Sequence, residues 1–139
     1  NKVSFMGGKL VVTGTTADGY ITVGEDGYGD RLQVNGYVQK ALSGLAYSAT
    51  VTINFARVAL QTVRLTGNVI FASQYLDAGR TMTLRIECDG TTRNLTFPAW
   101  KFVGTAAPAS IAANKTALLS LVSFNTTDGG VIAAYSVES

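Results

Sequence analysis

Between Thr81 and Cys88 the chain reads Thr-Met-Thr-Leu-Arg-Ile-Glu-Cys, so that Met82, Leu84, Ile86 and Cys88 alternate with polar residues. A period of two puts these apolar side chains on one face of an extended strand, and a helix cannot do that. Asp89-Gly90-Thr91-Thr92 follows, a sequence that accepts the positive φ of a tight turn, and Asn94–Phe97 predicts a returning partner strand that Pro98 stops. The same logic predicts a second hairpin, with Ala117–Phe124 and Val131–Val137 as strands and 125–130, Asn-Thr-Thr-Asp-Gly-Gly, as the connecting loop. Further strands are expected at Thr50–Phe55, Val58–Leu65 and Asn68–Ala72. No segment has the period of a helix, and the Ala-rich stretch 106–117 contains Pro108 and reads as a loop. The fold class is therefore all-β.

Composition narrows the function. The chain has 139 residues, 47% of them hydrophobic and only 14% charged, where roughly 25% charged is usual. That length supports one cored domain without disulfides or a structural metal. No apolar run approaches the 18 or so residues of a membrane helix, so membrane insertion is not expected. Histidine is absent and cysteine occurs once. Ser-His-Asp and Cys-His catalysis, Cys/His zinc sites and an internal disulfide are thereby excluded. The eleven cations lie singly between Lys2 and Lys115, which argues against nucleic acid as a partner. No cofactor is expected. No secretory leader pattern is evident, and the initial Asn suggests a segment of something longer.

The first forty residues differ in texture. Lys9-Leu-Val-Val-Thr-Gly14 and Arg31-Leu-Gln-Val-Asn-Gly36 share a basic-Leu-x-Val-x-Gly pattern, and Tyr20-Ile-Thr-Val-Gly24 is a shortened version. Strands this short bury little by themselves and stack on neighbours or on copies of themselves. The chain is thus expected to divide into a fibre-like, glycine-punctuated β segment at 1–48 and a distal β domain at 49–139.

A resemblance enters with Thr52-Ile-Asn-Phe55, 61–69 Gln-Thr-Val-Arg-Leu-Thr-Gly-Asn-Val, 78–84 Ala-Gly-Arg-Thr-Met-Thr-Leu, Asp89-Gly-Thr91, Leu95-Thr-Phe-Pro98 and Trp100-Lys-Phe102. In this order, over about two-thirds of the chain, they resemble the distal β-domain of bacteriophage tail fibres and related virion proteins. The resemblance implies a homotrimeric virion appendage with an antiparallel, jelly-roll-like β-sandwich. Its expected role is non-enzymatic attachment to the host surface; the alternative is decoration of the capsid. Partners would be other virion proteins and a host-surface polysaccharide or protein. Where relatives carry an aromatic pair after Asp-Gly-Thr near the end, this chain has Thr127-Asp-Gly-Gly-Val131.

Candidate contact residues are those of polar turns at strand ends: Asp89, Gly90, Thr91 and Thr92 in one loop, Asn125, Thr126, Thr127 and Asp128 in another, with 105–109 as a third. Trp100, Phe97 and Phe102 offer an aromatic platform for a sugar, but a sheet corner makes them core, together with Leu84, Ile86 and Cys88. A saccharide-cleaving enzyme would need a carboxylate pair, and Glu87 and Asp89 are its candidates; the strand's solvent face and the turn account for the same two residues. Glu25, Asp26 and Asp30 lack EF-hand spacing and read as a solvated turn. Gly7-Gly-Lys9 and Gly27-x-Gly29 fail as phosphate loops. The sequons at Asn94, Asn114 and Asn125 read as loop asparagines.

Overall fold

The computed structural model describes residues 40–139 apart from 58. The upstream repeats, the acidic 25–30 turn and the Gly7 and Gly27 motifs lie outside the described residues. The described residues form ten strands: β1 Leu42–Leu45, β2 Thr50–Asn54, β3 Leu60–Leu65, β4 Val69–Gln74, β5 Thr81–Cys88, β6 Arg93–Thr96, β7 Lys101–Phe102, β8 Ser110–Ile111, β9 Thr116–Ser123 and β10 Val131–Val137. Among the described residues there is no α-helix, only a 3-10 turn at Asp128–Gly130.

The strands form a six-stranded sheet, β1-β3-β5-β9-β10-β7, and a four-stranded sheet, β2-β4-β6-β8. From β1 to β6 the chain alternates between the two, and each strand lies parallel to the one two places earlier. Leu42 registers with Leu60, and Leu60 with Thr83, in the larger sheet. Thr50 registers with Ile70, and Val69 with Leu95, in the smaller. The first six strands therefore wind as successive coils, each giving one strand to each sheet. The last four strands close the stack. β9 runs antiparallel to β5 and turns back as β10, β7 adds in parallel to β10, and β8 pairs antiparallel with β6.

Two expectations need correcting. The sheets are mixed, where an antiparallel fold was expected; the parallel pairs also depart from a jelly-roll, which is built from antiparallel ones. The hairpin expected of 81–88 with Asn94–Phe97 does not form. β5 already has β3 on one edge and β9 on the other, so no hydrogen-bonding edge is left for β6, which joins β4 in the other sheet. The hairpin of β9 and β10 forms as expected, with Val131 opposite Ser123 and Val137 opposite Ala117. Of the strand expected at Val58–Leu65, Leu60–Leu65 forms β3, and residue 58 lies outside the described residues. Leu42–Leu45, upstream of residue 49, is a strand of the larger sheet.

Alternation decides which side chains are buried. In β5, Met82, Leu84, Ile86 and Cys88 are buried while Thr81 and Arg85 are exposed. In β9 the buried set is Ala117, Leu119, Leu121 and Ser123. Val51, Ile53, Val69, Phe71, Leu95 and Ile111 come from the smaller sheet, and the apolar residues of both sheets join in one buried cluster. Each fully buried Leu or Ile contributes about 1.5–3 kcal/mol relative to exposure. Trp100 is buried in this cluster, and Phe97 and Phe102 pack against it.

Candidate functional site

The strand directions sort the turns into two groups. β5 and β9 are antiparallel, with Glu87 opposite Thr116 and Thr81 opposite Val122, so 89–92 and 125–130 lie at opposite ends of this pair. Eight residues of strand separate the two ends by about 25 Å. The structure does not bring the two expected contact loops together.

At the first end, Arg93 grips Asp89 with two parallel bonds: Nε donates to Oδ1 at 2.8 Å and Nη2 to Oδ2 at 2.6 Å. The Thr91 backbone N–H also donates to Asp89 Oδ1, at 3.2 Å. The Arg93 bond, helped by the Thr91 N–H, holds the Asp89 carboxyl below its ordinary value. The backbone N–H of Asn114 donates to Asp89 O at 2.7 Å, joining this turn to the one before β9. Asn114 adopts φ 61°, a left-handed conformation that asparagine tolerates. Asn68 links the same end to the smaller sheet, its Oδ1 accepting the Asn94 N–H at 2.9 Å and its backbone O accepting the Tyr47 hydroxyl. Gly67 lies under that tyrosine ring, where a side chain would collide with it.

Cys88 is buried beside this turn, its Sγ donating to Thr91 O at 3.2 Å. Burial, with the Asp89 charge adding to it, pushes the thiol up, so it is a poor thiolate nucleophile. Glu87 pairs with Arg85 at 2.7 Å. Each carboxylate of the candidate catalytic pair is thus held by its own arginine. A general acid requires a raised carboxyl, and Asp89 is shifted the other way.

The opposite end is organised around the only tryptophan in the sequence. Trp100 Nε1 donates to Ser73 Oγ at 3.0 Å and faces Asp128 Oδ1 at 3.3 Å. Phe97 stacks on Phe71 at 5.2 Å between ring centroids, meets Phe102 edge-on at 5.0 Å and lies 5.8 Å from Trp100. These rings anchor the loop from inside and do not form an open platform. Within the loop, Asn125 Oδ1 accepts from the Thr127 N–H at 2.8 Å and its hydroxyl at 2.9 Å, while Ser123 Oγ donates to Asn125 O. The Phe124 N–H donates to Gly130 O and the Gly130 N–H to Thr127 O. A side chain at Gly130 would run into that of Asn125.

The 75–80 turn is joined to this loop, since the Gly79 N–H donates to Ser123 O and the Ser123 N–H to Arg80 O, both at 2.9 Å. Phe124 and Tyr75 project from this end, 65% and 58% exposed. The sequence reading found Asn125–Asp128 as a turn but missed Ser73, Tyr75 and Arg80. Ser73 is 27 residues from Trp100, and no local pattern signals a pairing over that separation. The third loop, 105–109, flanks β8, with the Leu95 N–H donating to Ala109 O. Among the described residues no cluster of three or more metal-ligating side chains occurs, and no helix is long and apolar enough to cross a membrane.

Comparison with protein-family models, curated proteins and solved structures finds no match to this chain.

Proposed function

We propose that this chain is a non-enzymatic structural and host-attachment module of a bacteriophage virion. It assembles as a homotrimer, and each protomer stacks its two sheets as a sandwich around the shared core. The observation that carries this reading is the coil architecture that places pinned, polar turns at the ends of a rigid stack, with the 125–130 loop as the best-organised of them. Its hydrogen bonds fix the backbone before any ligand arrives, so binding costs little ordering. Exposed Phe124 and Tyr75 beside Asn125, Thr126 and Thr127 supply apolar area and hydrogen bonds together, the combination that suits a host polysaccharide or glycosylated surface protein. Three such ends held at fixed spacing gain avidity through effective concentration. Asp89–Thr92 lies at the other end, and the Asp89–Arg93 pair there serves the fold.

A capsid-decoration protein uses the same assembly in another place, and the two readings separate by location. Antibody raised against the chain, applied to virions that carry it and viewed by electron microscopy, should label the tail tip. Label on the shell would transfer the reading to capsid decoration, and absence of label from intact particles would overturn a virion role. The glycosidase alternative draws no support from Glu87 and Asp89. Release of reducing ends from host polysaccharide, abolished in Glu87→Gln, would overturn the non-enzymatic reading.

A further inference from the structure

The cations of the described residues are not used alike at the two ends of the fold. Arg80, Arg85 and Arg93 are ion-paired, Lys115 donates to Ser139 O, and Arg64 adds to the hold of Arg93 on the Asp89 carboxyl. Lys40, Arg57 and Lys101 are exposed and have no hydrogen-bond or ion-pair partner among the described residues. The strand register puts these three at the end that carries the 125–130 loop. Leu42, Leu60 and Thr83 are aligned, so Lys40 precedes β1 and Arg57 precedes β3 at the end where β5 begins. β9 finishes there, β10 starts there, and Lys101 of β7 registers with Ile132. Tyr75 and Phe124, the two exposed aromatic rings among the described residues, belong to the same end. In the strand order of the larger sheet, this rim reads Lys40 at β1, Arg57 leading into β3, the 75–80 turn leading into β5, Phe124 after β9 and Lys101 at β7. Six strands about 4.8 Å apart make it about 24 Å long.

Tyr75, in the middle of this row, has φ 57°, a left-handed conformation that glycine or asparagine adopts readily and a bulky residue rarely does. Arg80 holds it there, Nη1 donating to Tyr75 O at 2.8 Å. A ring that is 58% exposed adds little to the core, so packing does not account for an aromatic residue at a strained position, whereas presentation to a ligand does. We propose that this rim is a track for an extended acidic polysaccharide, in which Tyr75 and Phe124 stack on sugar rings and Lys40, Arg57 and Lys101 meet carboxylate or phosphate substituents. The inference rests on the attachment reading above and names the chemical class of glycan that the loop end takes. Aromatic faces suit the apolar faces of sugars, and cations without a partner in the chain complement an anionic one. The two carboxylates of this end are already engaged, Asp77 with Arg80 and Asp128 with the Trp100 N–H. Three cations over about 24 Å match a polymer charged on some of its residues, where a nucleic acid carries a phosphate on every one.

The test is biolayer interferometry of the full chain on four immobilised polymers: polygalacturonate for carboxylates, a poly(glycerol phosphate) teichoic acid for phosphates, neutral dextran, and oligothymidylate. Circular dichroism verifies that each variant folds. The expected result is binding to an acidic glycan that weakens as salt is raised, with dextran and oligothymidylate bound more weakly. Arg57→Glu and Lys101→Glu should each lower that affinity about tenfold. Tyr75→Gly should also lower it about tenfold, with a urea midpoint unchanged or higher because the strain is relieved. Arg64→Glu, at the opposite end, should bind like the wild type. Equal binding to dextran would overturn the acidic class and leave attachment standing, and Arg57→Glu, Lys101→Glu and Tyr75→Gly chains that all bind like the wild type would overturn the track. Tighter binding to oligothymidylate than to either acidic glycan would make the rim a nucleic-acid track and overturn the inference. Binding to none of the four would also overturn it, and the particle-labelling experiment above would then decide the attachment reading by itself.

Discussion

Tyr135 and Asp89 show how differently a polar group can be accommodated. The Tyr135 hydroxyl is buried and meets no hydrogen-bond partner among the described residues, and burial, followed by the Cys88 charge, pushes its ionisation up. A buried hydroxyl without a partner costs about 1–3 kcal/mol. Tyr135→Phe should therefore stabilise the fold by about 1 kcal/mol, read as a higher urea midpoint at unchanged slope; a lower midpoint would mean that the hydroxyl is satisfied. Asp89 is the opposite case. Its folded carboxyl is held below the ordinary 3.8, so the unfolded chain takes up the proton first. The stability this supplies is present above about pH 3.8 and lost as pH falls through the lower folded value. Asp89→Asn should flatten that part of the acid-denaturation profile, and an unchanged profile would contradict the role given to Arg93.

Strands were legible in the sequence wherever alternation was strict, because alternation is a local property that burial enforces. β5 is the clear instance, its apolar residues all buried, and the β9–β10 hairpin was marked by its own turn residues. Partner choice was not legible. The pairing of β3 with β5 and of β2 with β4 joins residues about twenty apart through a strand of the other sheet, and backbone hydrogen bonds carry no side-chain signature. Asp89-Gly90 looked like a hairpin because turn chemistry reports a change of direction, not which sheet the chain enters next. The candidate turns were legible in the same local sense, whereas the Ser73–Trp100 bond that anchors one of them was not. Amide hydrogen exchange tests the pairing directly. Amides of β5 and β9, flanked on both sides, should exchange slowest, and those of β1 at the sheet edge much faster; uniform exchange across the sheet would contradict the order described.

For the whole molecule, the composition and the fold point the same way. A chain with 14% charged residues whose larger sheet leaves Leu42 and Leu118 exposed beside Arg64, Arg85 and Glu87 has some apolar surface outside its own core. On the proposed reading burial between copies would consume it, and β1, which among the described residues is paired on one edge only, is the kind of strand that its surroundings protect. The attachment reading depends on that assembly, since loops of modest affinity act together only when held at fixed spacing. Native mass spectrometry of the purified chain over a dilution series addresses this most directly. The account predicts a species at three times 14.6 kDa that persists on dilution, and a species at 14.6 kDa alone at every concentration would contradict it.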